Sequence, residues 1–278
     1  MIKKLVAIVL TFSMVLALAG CGPKTTSNKK VDDNKSAGAQ KELTSVDKIK
    51  QVGKIIVGTE STFPPYESID PKDGKTVIGF DMDIAKAVAD KLGVKLEIKD
   101  MKFDGLIGAL STGMLDFVAA GMSVTDERKQ NADFSDIYYK GGQVLVVSEK
   151  NNNINSASDM SGKKIGAQLG TISAKAAQNI KGIKLQQLDK VDQLMMEIKN
   201  GMIDGVVVDD TVGVKYVKTM GGLKVVKIPE LNQGEAGMGI AVAKGNKALL
   251  DVINQTLSDL KSNGEFDKLV DKWGLLKQ

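Results

Sequence analysis

Histidine is absent from this 278-residue chain, cysteine and tryptophan occur once each, and aromatic residues make up only 4% of it. Without histidine there can be no Ser-His-Asp or Cys-His nucleophile and no imidazole-ligated zinc or iron. With Cys21 as the one cysteine, no disulfide can form within the chain, so its core alone must hold it together. Long apolar runs are equally scarce. The longest, Leu5 to Ala19, has 15 residues, fewer than the ~20 that cross a bilayer comfortably. Lys/Arg tracts with interleaved aromatics are missing too, so no nucleic-acid footprint is present. Carboxylate acid–base chemistry is what remains open to an enzyme. No catalytic group, metal site or cofactor motif stands out, and none is expected.

What is present begins with an address. Met1-Ile2-Lys3-Lys4 is a short basic start, and the apolar run after it closes on Leu18-Ala19-Gly20-Cys21. That order of basic, apolar and small residues is the layout of a secretory leader over 1–20. Its ending resembles the bacterial lipobox, in which the cysteine thiol receives a diacylglycerol and becomes the new N-terminus. The plainer alternative is an ordinary leader with a chance cysteine. Residues 21–42 are small, polar and charged, and bury too little apolar surface to offset their conformational entropy. A disordered tether is expected there. Acyl chains on Cys21, palmitate among them, would hold the protein on the outer face of the cell membrane without a spanning helix.

The rest of the chain carries a partial internal repeat. DGLIGALSTGMLDFV from Asp104 matches DQLMMEIKNGMIDGV from Asp192, with Asp104, Leu106, Gly113, Met114 and Asp116 recurring as Asp192, Leu194, Gly201, Met202 and Asp204. Each copy reads as an amphipathic helix, a glycine suited to a left-handed C-cap, and an Asp leading into a buried strand. A helix returning to a buried strand is half of a βαβ unit, so each copy belongs in its own parallel sheet. Chance recurrence of a helix-Gly-strand pattern is the alternative. Further strands are predicted at 54–58, 76–78, 94–98, 117–120, 143–147, 164–167, 206–208, 224–228 and 240–242. A helix capped by Asp81 is predicted to run to Leu92, and two more over 247–263 and 265–273. Two α/β lobes with a cleft between them follow.

Ligands of open α/β sheets sit beyond the carboxyl ends of strands. Those ends carry the groups that a zwitterion needs. Arg128 offers a guanidinium for a carboxylate, Thr171, Ile172 and Ser173 open a helix, and Asp209 offers a carboxylate for an ammonium beside Ser123. Phe63 and Phe103 could sandwich the rest of the ligand. Each has a plainer reading. Thr125-Asp126-Glu127-Arg128 also reads as a capped short helix with Arg128 solvated. Asp209 and Asp210 equally read as caps of the next helix, and Phe63 before Pro64-Pro65 as a turn-packing residue. Tyr138-Tyr139 reads as packing beside the interlobe connection, and Trp273 as core.

Longer motifs decide between these. VGTESTFPPYE (57–67), IGFDMDIAKAVADKLGV (78–94), FDGLIGALSTGMLDFVAAGMSVTDERKQNADFSDIYY (103–139), KIGAQLGTISA (164–174), GMIDGVVVDD (201–210) and the terminal FDKLVDKWG (266–274) resemble, in order and spacing, the polar amino-acid family of extracellular solute-binding proteins, the receptors of ABC importers. The resemblance implies a periplasmic-binding-protein-like fold, two α/β lobes joined by two crossovers, with 43–142 and 236–278 as lobe 1 and 143–235 as lobe 2. It implies that Arg128, with the backbone N–H groups of Ser123 and Ile172, binds the α-carboxylate of a polar or cationic L-amino acid such as glutamine or arginine. Asp209 and the carbonyl of Ala120 or Gly121 would hold the α-ammonium. Phe63 and Phe103 would flank the side chain, and Glu60, Gln168 and Val208 would meet its tip. Thr171 completes the expected set. The family often has Asp where this chain has Glu60, which leaves the ligand's identity open; a cystine-like ligand is compatible. A non-enzymatic, monomeric receptor docking on an ABC permease is the expectation. The alternatives are a carboxylate-based lyase (a dehydratase) on the same fold and an amino-acid sensor or adhesin.

Overall fold

The computed structural model describes residues 43–232 and 236–276. The expected leader, Cys21 and tether lie outside the described residues, as does the middle of the expected return crossover at 233–235. Among the described residues no helix is long and apolar enough to cross a membrane.

In chain order the first part comprises α1 (Ser45–Val52), β1 (Lys54–Thr59), β2 (Thr62–Phe63), β3 (Glu67–Ile69), β4 (Val77–Ile78), α2 (Phe80–Leu92), β5 (Lys95–Asp100), α3 (Leu106–Ser111), β6 (Phe117–Val118), α4 (Asp126–Lys129) and β7 (Ala132–Phe134). The second comprises β8 (Gln143–Ser148), β9 (Lys164–Gln168), α5 (Ile172–Gln178), β10 (Lys184–Leu188), α6 (Val191–Lys199), β11 (Gly205–Asp209), α7 (Asp210–Met220) and β12 (Leu223–Val226). The chain then returns through β13 (Ala241–Ala243) to α8 (Lys247–Ser262) and α9 (Glu265–Trp273).

Two five-stranded sheets result, ordered β5-β1-β6-β13-β7 and β10-β9-β11-β8-β12, with β2-β3-β4 as a small third. Strands β5-β1-β6 and β10-β9-β11 run parallel, while β13 and β8 join antiparallel. The crossing segments lie side by side: Tyr138 N–H donates to the Met238 carbonyl (3.0 Å) and Met238 N–H to that of Tyr139 (2.7 Å).

The repeat seen in the sequence is a repeat of contacts. Asp116 Oδ2 accepts from Ile56 N–H at 2.7 Å, and its counterpart Asp204 Oδ2 accepts from Lys164 N–H at 2.8 Å. Each Asp thereby ties the start of its strand to the parallel neighbour, β1 or β9. Gly58 pairs with Val118 and Gly166 with Val206. A Cβ on Gly58 would fall 2.3 Å from Leu115 and 3.0 Å from Leu106; one on Gly166 would fall 2.8 Å from both Ile203 and Leu194. Glycine in each strand therefore seats the leucine of the repeat's helix, Leu106 on α3 or Leu194 on α6. Gly113 and Gly201 take positive φ after their helices, as expected.

Two expectations need correction. Asp81 does not cap α2; it lies inside the first turn, 1% exposed. The N–H groups of Phe80 and Asp81 are met instead by the carbonyls of Pro65 and Tyr66, at 3.0 Å each. The Asp81 carboxylate is thus free to turn inward, where it accepts from Gly121 N–H (2.8 Å) and Tyr138 Oη (2.8 Å). The expected strand at 117–120 is shorter than the apolar run suggests: Ala119 and Ala120 are buried but leave the ladder at Val118.

Candidate functional site

Strand ends that the repeat makes equivalent meet across the cleft. Glu60 follows β1 and Gln168 ends β9, and Gln168 Nε2 donates to Glu60 Oε2 at 2.7 Å. Glu60 is also held from its own side by Thr62 Oγ1 at 2.8 Å. Thr62 in turn is clasped by the opposite lobe. Its Oγ1 accepts from Val191 N–H at the start of α6 (3.0 Å), and its carbonyl accepts from Tyr216 Oη on α7 (2.9 Å). Outside this clasp stand two exposed ion pairs, Lys102–Asp189 at 2.6 Å and Lys175–Glu127. Exposed pairs of this kind contribute little.

Between these contacts lies a cavity with about 390 Å³ of space free of atoms, part of it open to solvent. Of the residues predicted from the sequence, Glu60, Phe63, Phe103, Gly121, Ser123 and Arg128 line it from the first lobe. Gln168, Thr171, Ile172 and Asp209 line it from the second. Ala120 does not; it is buried in the apolar cluster around Leu106 and Val118. Val208, expected at the ligand's tip, points into the core. Ser173, named with the opening of its helix, lines it as well, whereas Glu67, Gln143 and Met238 also line the cavity and were missed.

Arg128 meets the plainer reading of its motif only in part: the helix is capped, but the guanidinium is held by two carbonyls and is not left in solvent. Thr125 caps α4 through its side chain, as the short-helix reading required. The guanidinium nevertheless turns into the cleft, donating from Nη1 to the Ser123 carbonyl (2.6 Å) and from Nη2 to the Gly170 carbonyl of the other lobe (2.9 Å). Its Cζ lies 5.1 Å from the centre of the Phe103 ring, a cation–π distance. Phe103 therefore steadies Arg128, while Phe63 stacks on Tyr66 at 5.6 Å. Burial lowers the Arg128 pKa to about 10, so it stays cationic at neutral pH. Asp209 likewise serves twice. Its Oδ1 accepts from Thr211 and Val212 N–H as the cap of α7. Its Oδ2 faces Gly141, where a Cβ would come within 2.2 Å. Thr171 caps α5, its side chain accepting from Ala174 N–H. Ser173 Oγ donates to Gln143 Oε1 at 2.5 Å.

The carboxyl groups here are reluctant to ionise. Burial pushes Glu60 up to about 7, and burial with Asp210 beside it pushes Asp209 up to about 8. Burial also lifts Asp81 to about 6, and lifts Glu67 well above the carboxylate range with Asp81, Glu60 and Asp100 adding to it. A group whose pKa is higher folded than unfolded stabilises the fold below its unfolded pKa, and that contribution is lost as pH rises through the folded value. The ligand-free protein should therefore melt at a higher temperature near pH 5 than near pH 8, a window set by the raised values of Asp81, Glu60 and Asp209. Differential scanning calorimetry checks this; a melting point that climbs from pH 5 to 8 would contradict it.

Comparison with known proteins gives a consistent picture. Residues 55–276 match the model of "Bacterial extracellular solute-binding proteins, family 3". The chain is 37% identical to the arginine-binding extracellular protein ArtP of Bacillus subtilis (strain 168) over 223 residues, covering 79% of this chain and 86% of the relative. It is 32% identical to the L-cystine-binding protein TcyJ of Escherichia coli (strain K12), covering 82% of this chain and 85% of that one. A crystal structure of the substrate-binding protein of an amino acid ABC transporter superposes with a TM-score of 0.77 at 50% identity, covering 80% of this chain and 99% of that one.

Proposed function

This chain belongs to family 3 of the bacterial extracellular solute-binding proteins, an amino-acid-binding family of ABC importers with the periplasmic-binding fold, and on that premise we propose that it is a lipid-anchored receptor, held through Cys21, that binds a polar or cationic L-amino acid between its lobes and delivers it to an ABC permease. The lobes are 43–142 with 236–278, and 143–235; a monomer suffices, since both walls of the cavity come from one chain. The observation that carries the reading is that Arg128 and Asp209 line one cavity from opposite lobes. Arg128 on one lobe presents a fixed cation for an α-carboxylate, and Asp209 on the other presents an acceptor for an α-ammonium. A ligand that satisfies both must touch both lobes, so its binding favours the closed form. The arginine-binding and cystine-binding relatives are consistent with either a basic or a large polar side chain.

A thermal-shift series over the common L-amino acids, cystine and ornithine tests this. At a hundredfold excess over Kd a ligand specific for the folded state adds about 2.7 kcal/mol, a shift of several degrees. One or a few amino acids should produce it, and a flat panel would end the proposal. The lyase reading has one feature in its favour: Glu60, near pH 7, is poised for proton transfer. Turnover of a dehydratable carboxylic acid by the purified protein would favour it instead.

A further inference from the structure

The contacts between the lobes are of two kinds. Glu60–Gln168 and Arg128–Gly170 use side chains that line the cavity, where a ligand competes for them. The contacts of Thr62 do not. Thr62 on β2 of the first lobe meets Val191 and Tyr216 of the second, and none of the three lines the cavity. Thr62 and Tyr216 are 7% exposed and Val191 is 1% exposed. Every polar group of Thr62 is engaged there. Its N–H donates to the Glu60 carbonyl (2.9 Å), and its hydroxyl donates to the Glu60 carboxylate (2.8 Å). The hydroxyl also accepts from Val191 N–H (3.0 Å), and the carbonyl accepts from Tyr216 Oη (2.9 Å). The Val191 contact supplies what α6 lacks. A helix begins with N–H groups that have no partner within the helix. Thr125, Thr171 and Asp209 cap α4, α5 and α7 with their own side chains, but Lys190, in the same position before α6, makes no such bond. Thr62 meets the first N–H of α6 from the opposite lobe.

We propose that Thr62 and Tyr216 form a latch that engages only when the lobes meet, and that it raises the affinity for every ligand by one common factor without touching any of them. The proposal rests on the amino-acid reading of the cavity and on opening about the crossing segments. Opening separates Thr62 from α6 and α7. The Val191 N–H, the Tyr216 hydroxyl and the Thr62 carbonyl then return to water, so the latch contributes nothing to the open form. In the closed form they pair with one another, for a small net gain per bond. Apparent affinity scales with the fraction of protein in the binding-competent form, whatever the ligand. A contact that favours that form multiplies all affinities equally, whereas a contact to a ligand side chain selects among them. The latch bonds form after the ligand has entered, so they act mainly on its release.

Tyr216→Phe tests this, since it keeps the ring and removes only the hydroxyl that donates to Thr62. Titration calorimetry over the amino acids that bind should show every Kd raised by the same factor, about threefold to tenfold, the scale of one hydrogen bond. Stopped-flow fluorescence should place most of that factor in faster release. The melting point of the ligand-free protein should move by less than about 2 °C, because the open form does not contain the bond. Thr62→Val should also weaken binding, while Thr62→Ser, which keeps the hydroxyl, should stay within about twofold of the original. Thr62 also holds Glu60, so the common factor is read from Tyr216→Phe alone. A merely structural Tyr216 would lower the ligand-free melting point by several degrees and leave the Kd of the folded variant unchanged, which overturns the latch. So does a factor that differs by more than about twofold between ligands. Equal losses in Thr62→Val and Thr62→Ser overturn the part assigned to the hydroxyl. If amino acids bind and Tyr216→Phe changes no Kd, the latch fails while the receptor reading stands. If no amino acid binds, both fail.

Discussion

Arg128→Ala should raise the Kd for any α-amino acid by about a hundredfold or more while leaving the fold intact. The loss has two sources. A buried guanidinium matched to a carboxylate contributes through charge-assisted, parallel hydrogen bonds, and truncating one partner leaves the other charge in a desolvated site. Arg128 also donates to Gly170 across the cleft, so its removal takes away one of the contacts that join the lobes. Arg128→Lys should recover little, because an ammonium cannot hold Ser123, Gly170 and a ligand carboxylate in one plane. Titration calorimetry gives the affinity, and thermal unfolding of the ligand-free variant gives the control. A Kd within threefold of the original would remove Arg128 from the site. Losing Arg128 should weaken every α-amino acid alike, because the α-carboxylate is what they share.

Much of this architecture was legible because it rests on short-range chemistry that recurs. The helix-glycine-Asp-strand segments from Asp104 and Asp192 signal two parallel strand sets by themselves, and Asp116 and Asp204 make the same contact in both. Arg128 and Asp209 stood at strand ends where a zwitterion would sit. Their plainer readings hold as far as the caps go, since Thr125 caps the helix that carries Arg128 and Asp209 caps α7, although Arg128 is not solvated. A side chain can cap a helix with one atom and face a ligand with another, so spacing alone could not choose. Glu67 was invisible for a different reason. Phe63-Pro64-Pro65-Tyr66 reads as a turn, and nothing local shows that it is the bend of a hairpin, β2 to β3, that sends Glu67 inward. Gln143 and Met238 belong to the crossing segments, whose place at the cavity depends on how the two lobes are joined. Asp81 carried a misleading cue. An acidic residue before an apolar stripe looks like an N-cap, and only the return of Pro65 and Tyr66 against the helix start displaces it.

That return makes a glycine outside the cavity decisive for the site. Gly79 holds φ of +152°, and a Cβ there would sit 2.0 Å from the Tyr66 carbonyl oxygen and 2.7 Å from Glu67 Cα. Both obstacles are backbone, so no side chain can yield to relieve them. The close approach is what lets the Pro65 and Tyr66 carbonyls receive the first N–H groups of α2, and it sets Glu67 beneath the cavity. Gly79→Ala should therefore cost about 4 kcal/mol or more, a melting point roughly 10 °C lower for a domain of this size. Gly93→Ala is the matched control. Gly93 also takes positive φ, +72°, at the end of α2, but nothing lies within 4 Å of its missing Cβ. Strain without collision should cost only about 1 kcal/mol there. Thermal unfolding of the two variants separates the terms; equal losses would mean that backbone strain, and not the contact with Tyr66, is what Gly79 relieves.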